Sequence, residues 1–204
     1  ARVEMDNIVG LAAVDSNTIC VANNGANPML FFLDARTGAP RRGLFTGFEM
    51  GEIAADGSGH LYVLEANRTR WHVLNTDGEE LDGSPFGGGK TGVDIAVLNN
   101  GALVLVSERT TERVQCWQGA IENNRARYWR VDDLPTVDTG LGKVAVDGDQ
   151  SLYVANDKRG VITIFNPLGK PIDYLTQHST LLQTPREAAV TADRQTLFIM
   201  ELAG

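Results

Sequence analysis

Cysteine, long apolar runs and basic charge are all scarce in this chain, and each shortage excludes a class of protein. The two cysteines, Cys20 and Cys116, lie far apart without the spacing of zinc or redox sites, so we expect buried free thiols. No apolar run approaches the ~18 residues that a membrane-spanning helix needs, so we predict no membrane span. The net charge of −8 argues against nucleic acid as a partner, because sequence-independent binding depends on a Lys/Arg surface.

The short motifs of common enzymes are missing as well. His60, His72 and His178 share no metal-ligand spacing, and no Gly-x-Ser-x-Gly nucleophile elbow occurs. The glycine-rich stretch at 87–91 lacks the spacing of a phosphate-binding loop, and a predicted strand follows it instead of a helix. The sequence therefore predicts neither a histidine metal site nor a serine triad nor a nucleotide loop.

A phrase of strand, polar turn and strand occurs five times. Its second strand is found at residues 19–21 (ICV), 61–63 (LYV), 103–105 (LVL), 152–154 (LYV) and 197–199 (LFI). The turn before each of these strands contains Asp, Asn or Gly, which tolerate left-handed backbone and favour hairpins. Short strands in units of this length predict an all-β fold, a β-propeller of four-stranded antiparallel blades.

The predicted blades lie at about 10–48, 51–88, 92–134, 140–178 and 185–204 of a single domain covering 1–204. Residues 1–9 are interpreted as the end of an outer strand that leads into the first repeat, and 121–127 as a longer excursion within the third blade. The fifth repeat contributes two strands only, so we expect a propeller that is incomplete at its C-terminal end. The rest of a longer chain or a protein partner would then complete the ring.

A family resemblance follows from these repeats. Residues 147–156 and 161–165 resemble an NHL repeat, and residues 184–201 are similar to repeats of the SMP-30/gluconolactonase-like propellers. The resemblance implies part of a six-bladed ring and slightly favours an extracytoplasmic or secreted location. It leaves function open, because such propellers include lactonases, lyases and non-catalytic scaffolds. The Glu-Gly-Pro-like and Pro-Asn-Gly segments of the lactonase metal site do not occur, so that site is not carried over by motif.

The candidate site comes from aligning the residues just before each innermost strand, which would meet at one mouth of the central channel. They are Leu11, Glu52, Asp94, Lys143 and Glu187. Glu52, Asp94 and Glu187 are candidate ligands for Ca²⁺ or another divalent cation. With Lys143 they are also candidate catalytic acids and bases. Alternatively, Lys143 neutralises two of the carboxylates in a salt-bridge ring without chemistry.

Two further groups of side chains are predicted. A second polar ring, with a turn-capping role, follows the second strand of each repeat at Asn23, Glu65, Ser107, Asn156 and Glu201. In the third repeat, Arg113, Trp117, Arg127 and Trp129 combine the residue types of interface anchors and predict a partner-binding edge.

The sequence thus supports two functions. The favoured one is an NHL-type propeller that acts as a binding or scaffold module in a larger chain or assembly. The alternative is a metal-dependent hydrolase or lyase of the gluconolactonase-like group, with its site in the central channel.

Overall fold

A computed structural model describes residues 5–88, 92–108, 112–131, 133–134, 143–175, 185–191 and 195–201. The described chain is all-β, and its antiparallel sheets are arranged as successive propeller blades, which confirms the predicted fold class. In the described residues, no helix is long and apolar enough to cross a membrane.

The first two blades differ in their outer strands. Blade one contains β1 (Ile8–Asp15), β2 (Thr18–Asn23), β3 (Met29–Asp34) and β4 (Pro40–Phe45), hydrogen-bonded in that order. Blade two contains β5 (Met50–Ala55), β6 (His60–Glu65) and β7 (Trp71–Asn75). Its fourth strand is reduced to isolated bridges from Leu74 to Glu80 and from Trp71 to Phe86. Gly83 and Pro85 interrupt this segment, and proline cannot donate to a ladder.

The remaining blades complete an arc. Blade three contains β8 (Gly92–Leu98), β9 (Leu103–Glu108), β10 (Arg113–Glu122) and β11 (Arg125–Arg130), with a 3-10 turn at Asn99–Gly101. Blade four contains β12 (Val144–Val146), β13 (Leu152–Asn156), β14 (Val161–Phe165) and β15 (Pro171–Leu175). The described part of blade five contains β16 (Pro185–Val190) and β17 (Leu197–Glu201). The innermost strands β1, β5, β8, β12 and β16 lie side by side in chain order.

Two local predictions were wrong. Of the predicted outer strand at 1–9, Ile8 and Val9 belong to β1, the innermost strand of blade one, residues 5–7 form no strand, and residues 1–4 lie outside the described part of the chain. The predicted excursion at 121–127 is instead a tight hairpin between β10 and β11. Its two turn residues, Asn123 and Asn124, have positive φ angles of 51° and 61°. A two-residue turn of this kind matches the right-handed twist of the strands that it joins.

An aspartate that accepts backbone hydrogen bonds fixes the inner hairpin of blades two and four. Asp56 Oδ1 accepts from Ser58 N at 2.8 Å and His60 N at 3.1 Å. Asp147 Oδ1 accepts from Asp149 N at 2.9 Å and Ser151 N at 2.8 Å. The Asp in the repeated phrase is therefore the residue that closes the turn.

The core consists of apolar layers between adjacent blades. In β6, Leu61 and Val63 pack towards blade one, whereas Tyr62 and Leu64 pack towards blade three. Cys20 and Cys116 are buried free thiols in two of these layers, as predicted.

The strand registers correct the sequence alignment by one residue in two blades. Ile53 pairs with Val63, and its equivalents Ile95 and Leu11 pair with Val106 and Val21. A 3-10 turn lengthens the inner hairpin of blade three, and a register shift between Ala13 and Asp15 adds a residue to β1. Sequence spacing does not reveal such insertions.

The arc has two ends that no other described strand covers. Phe198 and Met200 lie on the face of blade five that points away from blade four, and they are 62% and 55% exposed. At the other end Leu11 on β1 is 62% exposed, and Ile8 is exposed as well. Each end therefore presents apolar side chains of a blade face to solvent.

Candidate functional site at the channel mouth

The corrected register places Gly10, not Leu11, in the ring with Glu52, Asp94, Lys143 and Glu187. Gly10 pairs with Ala22, as Asp94 pairs with Ser107 and Glu187 with Met200. A Cβ atom on Gly10 would lie 3.0 Å from Glu52 Oε2 and 3.0 Å from the backbone nitrogen of Ile53. The missing side chain at position 10 therefore leaves the space that the Glu52 carboxylate occupies.

Lys143 joins blades two, four and five at this mouth. Its Nζ atom donates a hydrogen bond to Glu52 Oε1 and lies 3.2 Å from Glu187 Oε2. The Glu52 side chain is largely buried, that of Lys143 is partly buried, and that of Glu187 is the most exposed of the three. The structure thus brings together three residues that are separated by 91 and 44 positions in the chain.

Asp94 lies deeper, at the junction between blades three and four. Its carboxylate accepts hydrogen bonds from Ile95 N at 2.9 Å and, across the blade interface, from Val144 N at 2.6 Å. Burial and the nearby charge of Glu52 raise the pKa of Asp94 to about 8, against the lowering effect of Val144, Lys143 and Ile95.

The other charges at the mouth are also shifted. Burial raises the pKa of Glu52, and its bond and attraction to Lys143 only partly offset this effect. Burial alone would lower the pKa of Lys143, but the hydrogen bond and charge of Glu52, with Asp94 and Glu187, raise it. The cluster therefore combines one ammonium group with carboxyl groups, two of which have raised pKa values. Such an arrangement can hold a proton or a cation.

The channel itself is lined by small and apolar side chains. Its cavity of about 410 Å³ is bounded by inner-strand residues such as Ala12, Ala54 and Ala96. Asp56, Asn100, Asp147 and Gln150 lie along the same cavity. The polar groups of the inner hairpin turns therefore line the channel together with the apolar strands.

The metal prediction stays a prediction. Among the described residues, no group of three or more His, Cys, Asp or Glu side chains is placed to hold a metal ion. The Lys143 ammonium lies between Glu52 and Glu187, two of the three predicted ligands. The geometry thus matches the salt-bridge alternative at these two carboxylates.

The second polar ring serves local structure in blades one and four. Asn23 Oδ1 accepts from Asn7 N at 3.0 Å, and Asn156 Oδ1 accepts from Arg159 N at 3.0 Å. In blade three the register places Glu108 in this ring, because Ser107 pairs with Asp94 and belongs to the blade core.

His72 has a role that spacing did not indicate. Its ring lies between two carboxylates, with Nε2 3.0 Å from Glu65 Oε1 and Nδ1 2.8 Å from Glu80 Oε1. It also stacks on Phe48, with ring centroids 4.2 Å apart. A histidine on a strand gives no sequence signal for partners that come from three separate segments.

The four residues of the predicted partner-binding edge lie on different faces of blade three. Trp117 faces blade two and packs edge-on against Trp71, with ring centroids 5.9 Å apart. Arg113 forms an ion pair with Asp133, at 3.3 Å. Arg127 and Trp129 lie exposed on the opposite face of the β10–β11 hairpin.

Comparisons with known proteins identify the fold. No family model and no curated protein sequence matches the chain. Among solved structures, it is similar to Kuenenia stuttgartiensis hydrazine synthase, with a TM-score of 0.70 and 16% identity over 98% of this chain. It is also similar to virginiamycin B lyase from Staphylococcus aureus, with a TM-score of 0.64 and 13% identity over 96% of this chain. The matches cover 57% and 63% of those two chains, and at such identities the likeness concerns the propeller fold alone.

Proposed function

We propose that this chain is an NHL-type β-propeller that acts as a binding or scaffold module within a larger chain or assembly. The observation that carries the proposal is the pair of uncovered apolar faces at the two ends of the arc. Contiguous exposed apolar faces of this kind are typical of interaction sites. The partner is a further blade-like unit, supplied by a longer chain or by another subunit.

The repeat itself supports this identity of the partner. The innermost strand of every blade carries an alanine on the face towards the following blade: Ala12, Ala54, Ala96, Ala145 and Ala189. The first four are covered by the next blade, whereas Ala189 is exposed beside its register partner Phe198. Blade five therefore presents the same type of face as the blades that already have a neighbour.

The face of blade one is complementary in type. Leu11 is the equivalent of Ile53, Ile95 and Val144, which pack against the preceding blade. A further blade-like unit would cover blade five with an inner strand that carries Ile or Val. It would cover blade one with a face that carries Ala or Tyr. At about 25 cal/mol per Å² of apolar area removed from water, such coverage stabilises the assembly by several kcal/mol.

The test is a charge introduced at the uncovered end of blade five. Phe198→Asp in the natural assembly is expected to dissociate or destabilise it, as measured by light scattering and thermal melting. Ile172→Asp on β15 is the matched control, because Ile172 is 54% exposed but belongs to the outer strand of blade four, which is not an end blade of the arc. Equal behaviour of the two variants would contradict the proposal.

The second candidate is a metal-dependent hydrolase or lyase of the gluconolactonase-like group. It is favoured by Glu52, Asp94, Lys143 and Glu187, which converge at one mouth with an acid of raised pKa. Strongly shifted groups in a cleft are typical of catalytic sites but also of structural ion-pair networks. Here Glu52, Asp94 and Glu187 would supply oxygen ligands to Ca²⁺ or another divalent cation.

Metal analysis of the purified protein separates the two candidates. The module proposal predicts no stoichiometric Ca²⁺ or Zn²⁺ after dialysis, and no change in metal content for Glu52→Gln. A bound ion that is lost in Glu52→Gln, but kept in the Glu112→Gln control, would instead favour the enzyme; Glu112 pairs with Lys158 and not with Lys143.

A further inference from the structure

An apolar groove lies between blades three and four on the side of the exposed Trp129. It has a volume of about 440 Å³, and its walls include Cys116, Gln118, Val131, Leu134, Leu152 and Leu168. The volume is in the range of sites that hold compact apolar groups. Leu168, at one rim, is 91% exposed, so the edge of the groove presents a large apolar side chain to solvent.

The register of the β10–β11 hairpin places Trp129 beside this groove. Gln118, which lines the groove, pairs with Trp129, and Ala120 pairs with Arg127. These four side chains share one face of the hairpin, whereas Trp117 and Ile121 lie on the other face, in the core. Trp129 is 56% exposed. The groove and the aromatic ring therefore form one continuous surface.

The charge around this surface is positive, whereas the net charge of the chain is negative. Arg125 and Arg127 share the face of Trp129, whereas Arg113 and Arg130 lie on the face of Trp117. Among the described residues, the acids of this region are Asp133, which itself lines the groove, and Glu122. Asp133 pairs with Arg113 and with Arg130. Arg127 forms no ion pair in the described part of the chain, so its guanidinium is free to meet an acid. With four arginines against two described acids, this region is basic in a chain whose net charge is −8.

We infer that this surface binds an extended acidic segment of a partner protein, with a large apolar side chain of that segment inserted in the groove. Arg127 would pair with a carboxylate, and Trp129 and Leu168 would flank the inserted side chain, as anchors do in interface centres. The inference deepens the proposed binding function by naming a partner, and it uses a surface separate from the two ends of the arc.

An acidic protein segment fits these observations better than nucleic acid does. A polyanion needs a wide basic surface, and the negative charge of the whole chain would repel it. The groove offers burial to an apolar side chain, which a nucleic-acid backbone does not carry. One free guanidinium beside an apolar groove suits alternating acidic and apolar residues.

The test is a selection from a library of random displayed 12-residue peptides, panned on the intact chain. Binders to the Arg127→Glu/Leu168→Asp variant are removed by counter-selection. Selected peptides are then synthesised and titrated while the tryptophan emission is recorded, because Trp129 is the exposed member of the three tryptophans. Melting curves of each variant establish that it is folded.

The expected peptides combine Asp or Glu with Leu, Phe or Trp, and their binding shifts the emission to shorter wavelength. Arg127→Glu and Leu168→Asp should each weaken binding at least tenfold. Arg36→Glu, on an exposed turn of blade one, should change it less than twofold. Failure to select peptides that distinguish the variants, or selection of basic peptides, would overturn the inference. Tighter binding of a single-stranded oligonucleotide would replace it with a nucleic-acid surface.

This result is independent of the proposed module role. If Phe198→Asp leaves the assembly intact but the groove binds acidic peptides, the module proposal fails and the groove stands. If the groove binds nothing while Phe198→Asp dissociates the assembly, only the groove inference fails.

Discussion

Replacement of Lys143 by methionine tests the electrostatics of the channel mouth. Methionine keeps most of the aliphatic length of lysine but removes the ammonium that pairs with Glu52 and Glu187. Glu52 would then be left largely buried beside Glu187 and Asp94, and in the described part of the chain no other cation pairs with it. We therefore expect Lys143→Met to destabilise the fold through charge and not through packing.

The magnitude follows from burial. Exposed ion pairs contribute ~0–1 kcal/mol, whereas removal of one partner of a fully buried pair costs about 3–5 kcal/mol. The Lys143 and Glu52 side chains are 29% and 15% exposed, between these limits. We expect a loss of about 2 kcal/mol in the free energy of unfolding at pH 7, a value between the two classes.

The pH dependence has a defined sign. Loss of Lys143 removes the interactions that lower the pKa of Glu52, so this pKa rises further above that of the unfolded chain. A carboxyl with a raised folded pKa destabilises the fold increasingly as pH rises and is tolerated when protonated. The cost of Lys143→Met should therefore be smaller at pH 5 than at pH 7.

Urea unfolding at both pH values, followed by tryptophan fluorescence, measures this cost, and equal m-values would justify the comparison. Lys158→Met is the matched control, because Lys158 pairs with Glu112 at 2.5 Å but is 60% exposed. We expect a loss below ~0.5 kcal/mol for this control. The Glu52→Gln/Lys143→Met double variant should recover part of the loss, since the unpaired carboxylate is gone. Equal costs for Lys143→Met and Lys158→Met, or a cost independent of pH, would refute the reasoning.

Two further predictions concern the same ring. Because the pKa of Asp94 is raised to about 8, its protonated form stabilises the fold fully below about pH 4. This contribution to the free energy of unfolding is lost as pH rises towards 8, by up to ~1.4 kcal/mol per pH unit. Asp94→Asn should flatten this fall in urea titrations at pH 5, 6.5 and 8, and an unchanged slope would contradict it. Gly10→Ala should cost about 1–3 kcal/mol because its Cβ meets Glu52 and Ile53 N at 3.0 Å. Gly51→Ala, whose Cβ has ordinary contacts of 3.5 Å, is the control, and equal melting temperatures would count against the crowding.

The fold was predictable because the repeat carries local turn chemistry. Asp56 and Asp147 close hairpins through their own backbone neighbours, so the signal is contained in a few consecutive residues. The blade-to-blade packing follows from the alternation of residues such as Leu61 and Tyr62. The turn hydrogen bonds join residues that are close in sequence, and the packing follows the two-residue period of a strand. Both features can be read directly from the sequence.

The candidate site was only partly predictable. Alignment indicated that Glu52, Lys143 and Glu187 would meet, because innermost strands converge on one axis. It placed Leu11 in the ring where Gly10 belongs, because a register shift in β1 leaves no trace in the spacing. The burial of Asp94 against Val144 N depends on the junction of two blades, which no local pattern encodes.

Oxidative footprinting of Met200 tests the central claim most directly, that a further blade-like unit covers the ends of this arc. Met200 is 55% exposed in the chain, whereas Met50 is 1% exposed and provides an internal reference. The account predicts rapid oxidation of Met200 in the isolated chain and protection approaching that of Met50 in the natural assembly. Equal oxidation of Met200 in both samples, with Met50 protected throughout, would contradict it.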